Sequence, residues 1–470
     1  MSFAKQACDC CRVRRVKCNR EEPCNRCLQH DLKCTYLRLL KKRGPKSIRT
    51  RSLEKIANMQ KVSEENSTMA APKASVKVPK VLIDQCLRLY NDNLYVIWPL
   101  LCYNDLHKLL DEKYDNCSIY WFLVALSAAT LSNLQTGIET EEGDFYTGKQ
   151  LCSLCMSSRH DFDDLSSSDL LRIMIYYCLH RCFAYFSDTI TSYRLYCEAI
   201  GLIKIARFHC EETYKPLSFN EQQLGRKVYY LLLLTERYYS VYIHCATSLD
   251  VTISPPQPEA VTDPRLSLDS FLEVIGVFTV PEKCFFDALA TGPADNSCTE
   301  DSLKRIWNQL HTVSPDVEPW SYGYVDFSFS RHWIRTLAWK LMFLAKGKQT
   351  KFLLNTHNAH IPVQIAKDML EDTFLTPKNF YDVHGPGIPI KVLEIANALV
   401  DVVNHYDQNM ELEAWNVLRD VVKFVFSLKY CDPNMIQKFT TKCQSALITL
   451  PITRLLQSSV SSKDDADIVL

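Results

Sequence analysis

Two copies of one thiol pattern occupy the start of the chain, from Cys8 to Cys34. Cys8-x-x-Cys11 leads on to Cys18, and Cys24-x-x-Cys27 leads on to Cys34 with the same internal spacing. Each cysteine of the second copy therefore stands at one constant offset from its counterpart: Cys24 from Cys8, Cys27 from Cys11 and Cys34 from Cys18. Zinc accounts for the number of thiols. A structural zinc site is usually tetrahedral and closed, with thiolate ligands, so two ions need eight ligand positions from six cysteines and two thiolates must bridge. The first cysteine of each copy is the symmetric choice. One zinc would take Cys8, Cys11, Cys18 and Cys24, and the other Cys24, Cys27, Cys34 and Cys8. Six thiolates against two divalent ions leave a charge of minus two, which Arg12, Arg14, Arg15 and Lys17 can offset. Cys10 has Arg26 as its counterpart at that offset and reads as a spare thiol. A disulfide knot is the alternative and needs an oxidising compartment. The opening Met-Ser-Phe-Ala-Lys-Gln has no apolar signal-peptide core, so metal and reduced thiols are expected.

The net charge of zero conceals an asymmetry. Residues 1–51 carry 15 Lys/Arg against 4 Asp/Glu, and the remainder carries 39 against 50. A basic end on an acidic body points to a polyanionic partner. Fourteen further cysteines, such as Cys178 and Cys182, stand in apolar contexts without paired spacing and read as buried, reduced thiols. Cys152-x-x-Cys155 lacks a second pair at zinc-ribbon spacing and reads as helix packing. The most apolar run, Ile119 to Leu131, is too short to span a bilayer, and no membrane association is expected.

The chain divides into four stretches. Residues 1–40 are expected to form a zinc-cluster module. Residues 41–80 are a basic arm with Lys41, Lys42 and Arg43, a weak coiled-coil segment from Ser52 to Glu65, and a flexible linker. Residues 81–460 form a mostly all-α regulatory domain, and residues 461–470 an acidic tail. Amphipathic patterns predict helices over Val81–Tyr95, Ser118–Leu131, Ser168–Phe186, Ser192–Arg207, Gln222–Tyr242, Ser302–His311, Arg331–Leu344, Ile361–Leu370, Ile390–Tyr406 and Leu412–Leu428. Tight turns are expected at Pro255-Pro256 and at His384-Gly385-Pro386-Gly387.

No nucleophile elbow, phosphate loop or His-Glu-x-x-His helix is present in the sequence, which argues against an enzyme. His180, His244, His332 and His384 have no metal-spaced partners and read as core or loop residues. A thiol redox or metal-buffering protein would not need the basic arm. Trp320, Tyr322, Trp333 and Trp339 could stack on a sugar but read as core.

The segment Cys-x-x-Cys-Arg-x-Arg-Arg-x-Lys-Cys from Cys8 to Cys18, with Pro23 before Cys24, resembles the fungal binuclear zinc-cluster transcription factors. Arg226-Lys227-Val228-Tyr229-Tyr230-Leu231 with Glu236-Arg237 and Tyr239-Ser240 resembles their helical middle homology region. Leu82 to Tyr90, Glu318 to Gly323 and Tyr381 to Gly387 extend the likeness, which is closest to the maltose-fermentation activators of budding yeasts. The resemblance implies a nuclear activator of genes for α-glucoside use that binds double-stranded DNA at CGG-like triplets. It implies a module of two short helices around two zinc ions, with the first helix, over about Arg12–Lys17, in the major groove. Arg14, Arg15 and Lys17 would then read bases, while Arg12, Lys33, Lys41, Lys42 and Arg43 would meet phosphates. A homodimer, transcription coactivators and a sugar inducer acting directly or indirectly are the further partners implied. Regulation of a different carbon source, or a zinc-dependent protein-interaction module, is the alternative.

Overall fold

The computed structural model describes residues 7–36, 77–140, 143–163, 169–258, 267–292, 299–312, 321–345, 356–405, 408–430 and 433–445. Lys41, Lys42 and Arg43, the expected coiled-coil segment, Trp320 and the acidic tail lie outside the described residues. The chain divides into two compact units, Met1–Lys77 and Val78–Leu470. The first contains two short helices, α1 (Asp9–Val13) and α2 (Asn25–Leu28).

The second unit is almost entirely helical. It begins with α3 (Lys80–Asn93), α4 (Tyr103–Lys113) and α5 (Cys117–Leu134), then a hairpin of β1 (Gly137–Glu139) and β2 (Phe145–Thr147). Next come α6 (Gly148–Ser157), α7 (Arg159–Asp163), α8 (Asp169–Tyr185), α9 (Thr189–Ile205) and α10 (Phe219–Tyr242). The later helices are α11 (Asp269–Thr279), α12 (Lys283–Thr291), α13 (Glu300–Thr312), α14 (Tyr322–Ala345), α15 (Thr356–Leu375), α16 (Asn379–Asp382), α17 (Gly387–His405), α18 (Gln408–Ser427) and α19 (Pro433–Ser445). The hairpin pairs antiparallel, with Ile138 opposite Tyr146.

Two hydrophobic cores organise this unit. α5 is the axis of the first. Asn116 caps its start by accepting from the Ile119 amide at 3.2 Å, and Gln135 ends it in the left-handed region at φ 49°. Every side chain from Ser118 to Asn133 is buried, as expected of a helix apolar on all sides. The polar interruptions cost little, because Ser127, Thr130 and Ser132 donate back to the carbonyls of Leu123, Leu126 and Ala128 at 2.8, 2.8 and 2.7 Å. The helix is longer than the apolar run in the sequence. Its 18 residues could cross a membrane by length and composition, but 89% of them are buried inside this fold. α8 packs on α5, and α9 on α8.

α14 is the axis of the second core and contacts α11, α13, α15 and α17. Trp333 and Trp339 lie on it fully buried. His332 Nε2 meets Asp372 Oδ2 of α15 at 2.8 Å, and the Tyr324 hydroxyl donates to Asp372 Oδ1 at 2.8 Å. His332 is therefore a buried crosslink between two helices.

The segment that resembles the middle homology region builds a clamp. From α10, Arg226 forms a bidentate pair with Glu211 at 2.9 and 2.6 Å and also donates to the Ser254 carbonyl at 2.9 Å. Tyr229 and Tyr230 donate to the carbonyls of Asp250 and Ile253, both at 2.6 Å. Glu236 accepts from the amides of Ser248 and Leu249 at 2.8 and 2.7 Å. One helical face thus supplies partners to the stretch from Ser248 to Ser254, which lies outside helix and strand and needs partners for its backbone groups.

Candidate metal centre and nucleic-acid interface

The thiol repeat is also a backbone repeat. Cys8 stands at the N-cap of α1, and its sulfur accepts from the Cys11 amide at 3.4 Å. The helix terminates at Arg15, which is left-handed at φ 53°. Its amide donates to Arg12 O at 3.2 Å, and the Val16 amide donates to Cys11 O at 3.0 Å. Those two bonds close a Schellman motif. In the second copy the same set recurs: Cys24 at the N-cap, Asp31 left-handed at φ 50°, Asp31 N to Leu28 O at 3.4 Å and Leu32 N to Cys27 O at 3.0 Å. Each half is therefore a turn of helix with a cysteine at the N-cap position and the same terminator, although only the Cys8 sulfur accepts a capping bond.

This geometry corrects the expected helix over Arg12–Lys17. Capping by Cys8 starts α1 at Asp9, and the left-handed Arg15 stops it after Val13. Lys17 lies beyond the end of the helix.

The halves are tied through backbone and side chain. The Asp9 amide donates to Thr35 O at 2.9 Å, the Thr35 hydroxyl to Asp9 Oδ2 at 2.9 Å, and the Tyr36 hydroxyl to Glu21 O at 2.9 Å. Pro23 lies in the loop between them and follows a cis peptide bond. Asn19 in that loop accepts from the Asn25 amide at 3.2 Å.

Four of the six repeated cysteines, Cys8, Cys11, Cys24 and Cys27, are fully buried. The six sulfurs fall into two groups of four, Cys8/Cys11/Cys18/Cys24 and Cys8/Cys24/Cys27/Cys34, each within 4.8 Å. Cys8 and Cys24 belong to both groups and lie 3.6 Å apart. Cys8 to Cys27 and Cys11 to Cys24 are also 3.6 Å. A tetrahedron with Zn–S bonds of about 2.3 Å has sulfur edges of roughly 3.8 Å, so these residues fit a pair of zinc ions. Burial pushes the Cys27 thiol up to about 12. At Cys24 burial acts in the same direction, but donors from Cys27, Cys11 and Cys8 outweigh it and hold the thiol down to about 6. Cys10 stands apart from both groups and donates to Lys33 O at 3.4 Å. The described cysteines are all free thiols.

The cations point the other way. Arg12, Arg14, Arg15, Lys17 and Lys33 are exposed, as is Val13 at 83%. The backbone repeat makes their distribution informative. In the second copy the counterparts of Arg12, Arg14 and Arg15 are Leu28, His30 and Asp31, so only Lys17 has a cationic counterpart, Lys33. Two halves of equal fold carry very different charge, and the cationic one is marked by side chains that the sulfur cluster does not use.

In the helical unit the residues singled out from the sequence have structural places. Cys152 and Cys155 are buried on α6, and Asp188 caps α9 by accepting from the Thr191 amide at 3.0 Å. Tyr322 packs on Phe380 with ring centres 4.4 Å apart. Sequence reasoning missed the Schellman pair Arg15 and Asp31; a left-handed residue four after each second cysteine leaves no compositional mark unless it is glycine.

A profile of the fungal Zn(2)-Cys(6) binuclear cluster domain matches residues 6–43. The chain is 71% identical over 472 residues to Maltose fermentation regulatory protein MAL63 of Saccharomyces cerevisiae, covering 100% of both. It is 68% identical to Maltose fermentation regulatory protein YPR196W of Saccharomyces cerevisiae, again over 100% of both. Respiratory transcription factor ZNF1 of the same organism is 67% identical over 99% of each chain. No solved structure matches the chain at a significant level.

Proposed function

The chain belongs to the maltose fermentation regulatory proteins, whose N-terminal module is a fungal Zn(2)-Cys(6) cluster, and from that premise we propose how its residues read DNA. It is a DNA-binding transcription regulator of maltose-utilisation genes, not an enzyme, and its cofactor is two zinc ions. Cys8, Cys11, Cys18 and Cys24 hold one ion, and Cys8, Cys24, Cys27 and Cys34 the other. The metals fix the two Schellman-terminated turns relative to each other, so that the end of α1 is presented as a rigid edge.

Arg14, Arg15 and Lys17 are the base readers, donating to guanine O6 and N7 of a CGG-like triplet in the major groove. Arg12, Lys33, Lys41, Lys42 and Arg43 contact phosphates, which set register without reading sequence. The observation that carries this assignment is the charge asymmetry between two halves of matching backbone: the first exposes Arg12, Arg14 and Arg15, and the second has no cation at any of the three counterpart positions. A helix C-terminus carries partial negative charge, and these cations reverse its sign where it would face the duplex. The protein works in the nucleus as a homodimer on paired triplets, recruits coactivators, and responds to a sugar inducer.

The test is competition binding of the zinc-loaded full chain on a duplex with paired CGG triplets and on a scrambled duplex. Arg14→Ala is expected to lose about 1–3 kcal/mol of discrimination between the two, with weaker loss on the scrambled site. Equal losses on both duplexes would move Arg14 from base reading to phosphate contact.

A further inference from the structure

In the second core, α13 is attached by an apolar stripe and by one polar contact in its last turn. The stripe is Leu303, Ile306 and Leu310, all buried, and the principal neighbour is α14. The polar contact centres on Arg335 of α14, itself fully buried. Its Nη2 donates to His311 Nδ1 at 3.2 Å. Its Nη1 donates to Asp368 Oδ2 of α15 at 3.1 Å and to His332 Nδ1 at 3.4 Å. Trp307, one turn before His311, stacks on that imidazole with ring centres 5.1 Å apart and planes at 11°. The guanidinium lies 5.3 Å from the centre of the same indole.

A guanidinium only donates, and it keeps its charge inside a protein. Both imidazoles that it touches therefore present an unprotonated Nδ1. At His332 the other ring nitrogen faces Asp372 at 2.8 Å, and burial holds the ring below the ordinary histidine range. The charged and titratable groups around the contact are Arg331, His332 and Arg335 from α14, and Asp368 and Asp372 from α15. On α13, Lys304 lies two turns up the same face and pairs with Glu300 at 2.9 Å, while the helical period places Arg305 on another face. With both imidazoles neutral, the two arginines and the two carboxylates cancel. A proton on either ring leaves a net positive charge beside Arg335.

The two histidines differ in access. His332 is fully buried, whereas His311 is exposed. Histidine is the side chain that ordinarily changes charge between pH 5 and 8, so His311 is the ring that solvent protonates. Once charged it has no acceptor for Arg335, and two cations face each other. Asp368 is already engaged, with Oδ2 on Arg335 and Oδ1 accepting from Gln364 Nε2 at 2.8 Å. For α13 alone the new charge is favourable, because His311 stands in its last turn, at the negative end of the helix dipole. Protonation thus weakens the attachment of the helix without melting it.

We propose that His311 is a proton-operated latch, which holds the last turn of α13 against α14 when neutral and releases it when charged. The closed contact binds one proton fewer than the open one, so it is favoured at higher pH and lost as pH falls. Release uncovers Leu310 and separates the Trp307 ring from Arg335. The latch lies wholly within the helical body and does not depend on how the cysteine module reads DNA.

The test is amide hydrogen exchange of the zinc-loaded full chain at pH 7.5 and pH 5.5, each corrected for the intrinsic exchange rate. It follows α13, with α5 as the internal reference. His311→Asn keeps an acceptor oxygen on the side chain but does not titrate, and His311→Lys carries the charge at both pH values. In the parent, exchange in the last turn of α13 is expected to rise about tenfold or more between pH 7.5 and pH 5.5, as local opening does. The asparagine variant should stay slow at both pH values and the lysine variant fast at both, with α5 protected throughout. The same pH response in His311→Asn as in the parent would overturn the proposal, as would full protection of α13 in His311→Lys. Loss of protection across α5 in parallel with α13 would do so too, since the whole body would then be opening. Should the lysine variant fail to fold, the comparison of parent with His311→Asn decides the matter alone.

Discussion

The cysteine module and the helical body reach order by opposite means. Residues 7–36 bury four cysteines and little else, so the thiols and their metal carry the folding free energy. The body buries whole helices, with α5 enclosed on all sides and α14 threaded by Trp333 and Trp339, and its stability comes from apolar area removed from water. In the module about half of the described residues are ligands, terminators or exposed cations, so function sits one residue at a time. In the body, side chains distant in sequence meet only through packing, as His332 and Asp372 do.

The largest expected effect separates the two regions outright. Removing zinc with a chelator should unfold the module, whose metal-linked free energy is about 10–16 kcal/mol in comparable sites, while helical circular dichroism of the body persists. Loss of the body's helicity in parallel would show that the two are not independent. The converse perturbation is Trp339→Ala, expected to cost about 3–5 kcal/mol in denaturant unfolding of the body. Two zinc ions per chain should stay bound; their release would break the comparison from the other side.

A smaller effect sharpens the account of the clamp on α10. The Arg226 guanidinium holds the Glu211 carboxyl down to about 2, against an ordinary value near 4.5. Its folded value is depressed, so its contribution is complete above about 4.5 and is lost as pH falls from there through about 2. Glu211 is 40% exposed, and screening reduces the contribution to about 1 kcal/mol. Glu211→Gln should therefore lower stability by that amount at pH 7 and flatten its decline in this window. An unchanged acid profile would mean the pair is structural only in appearance. The smallest effect is on DNA: Lys42→Ala should weaken binding to every sequence and reduce the salt slope by roughly one unit. A constant slope would remove Lys42 from the phosphate contacts.

Much of the fold was legible because long amphipathic helices carry their own period. The pattern over Val81–Tyr95 corresponds to α3 at Lys80–Asn93, and that over Ser192–Arg207 to α9 at Thr189–Ile205. What escaped was short or weakly periodic. α4 buries only Leu106 and Leu110, too few to define a face, and the hairpin strands are three residues each. The sulfur geometry followed from spacing because metal coordination is local and stoichiometric. The span of α1 did not, because it is set by a sulfur at the N-cap and a left-handed arginine, neither of which propensity anticipates. The buried polar contacts of the body were invisible for another reason: Asp326 and Lys391 come together only through tertiary packing, whereas Trp333 and Trp339, which read as core, are core.

The central claim is that one rigid, metal-fixed edge reads DNA. It is tested most directly by selecting random duplexes with the purified zinc-loaded chain, beside Cys24→Ser, whose sulfur belongs to both four-cysteine groups. The account predicts that the parent enriches paired CGG-like triplets at a defined spacing, and that the variant enriches nothing while its helical body stays folded. Enrichment of the same triplets by Cys24→Ser, or none by a parent that holds two zinc ions, would contradict it.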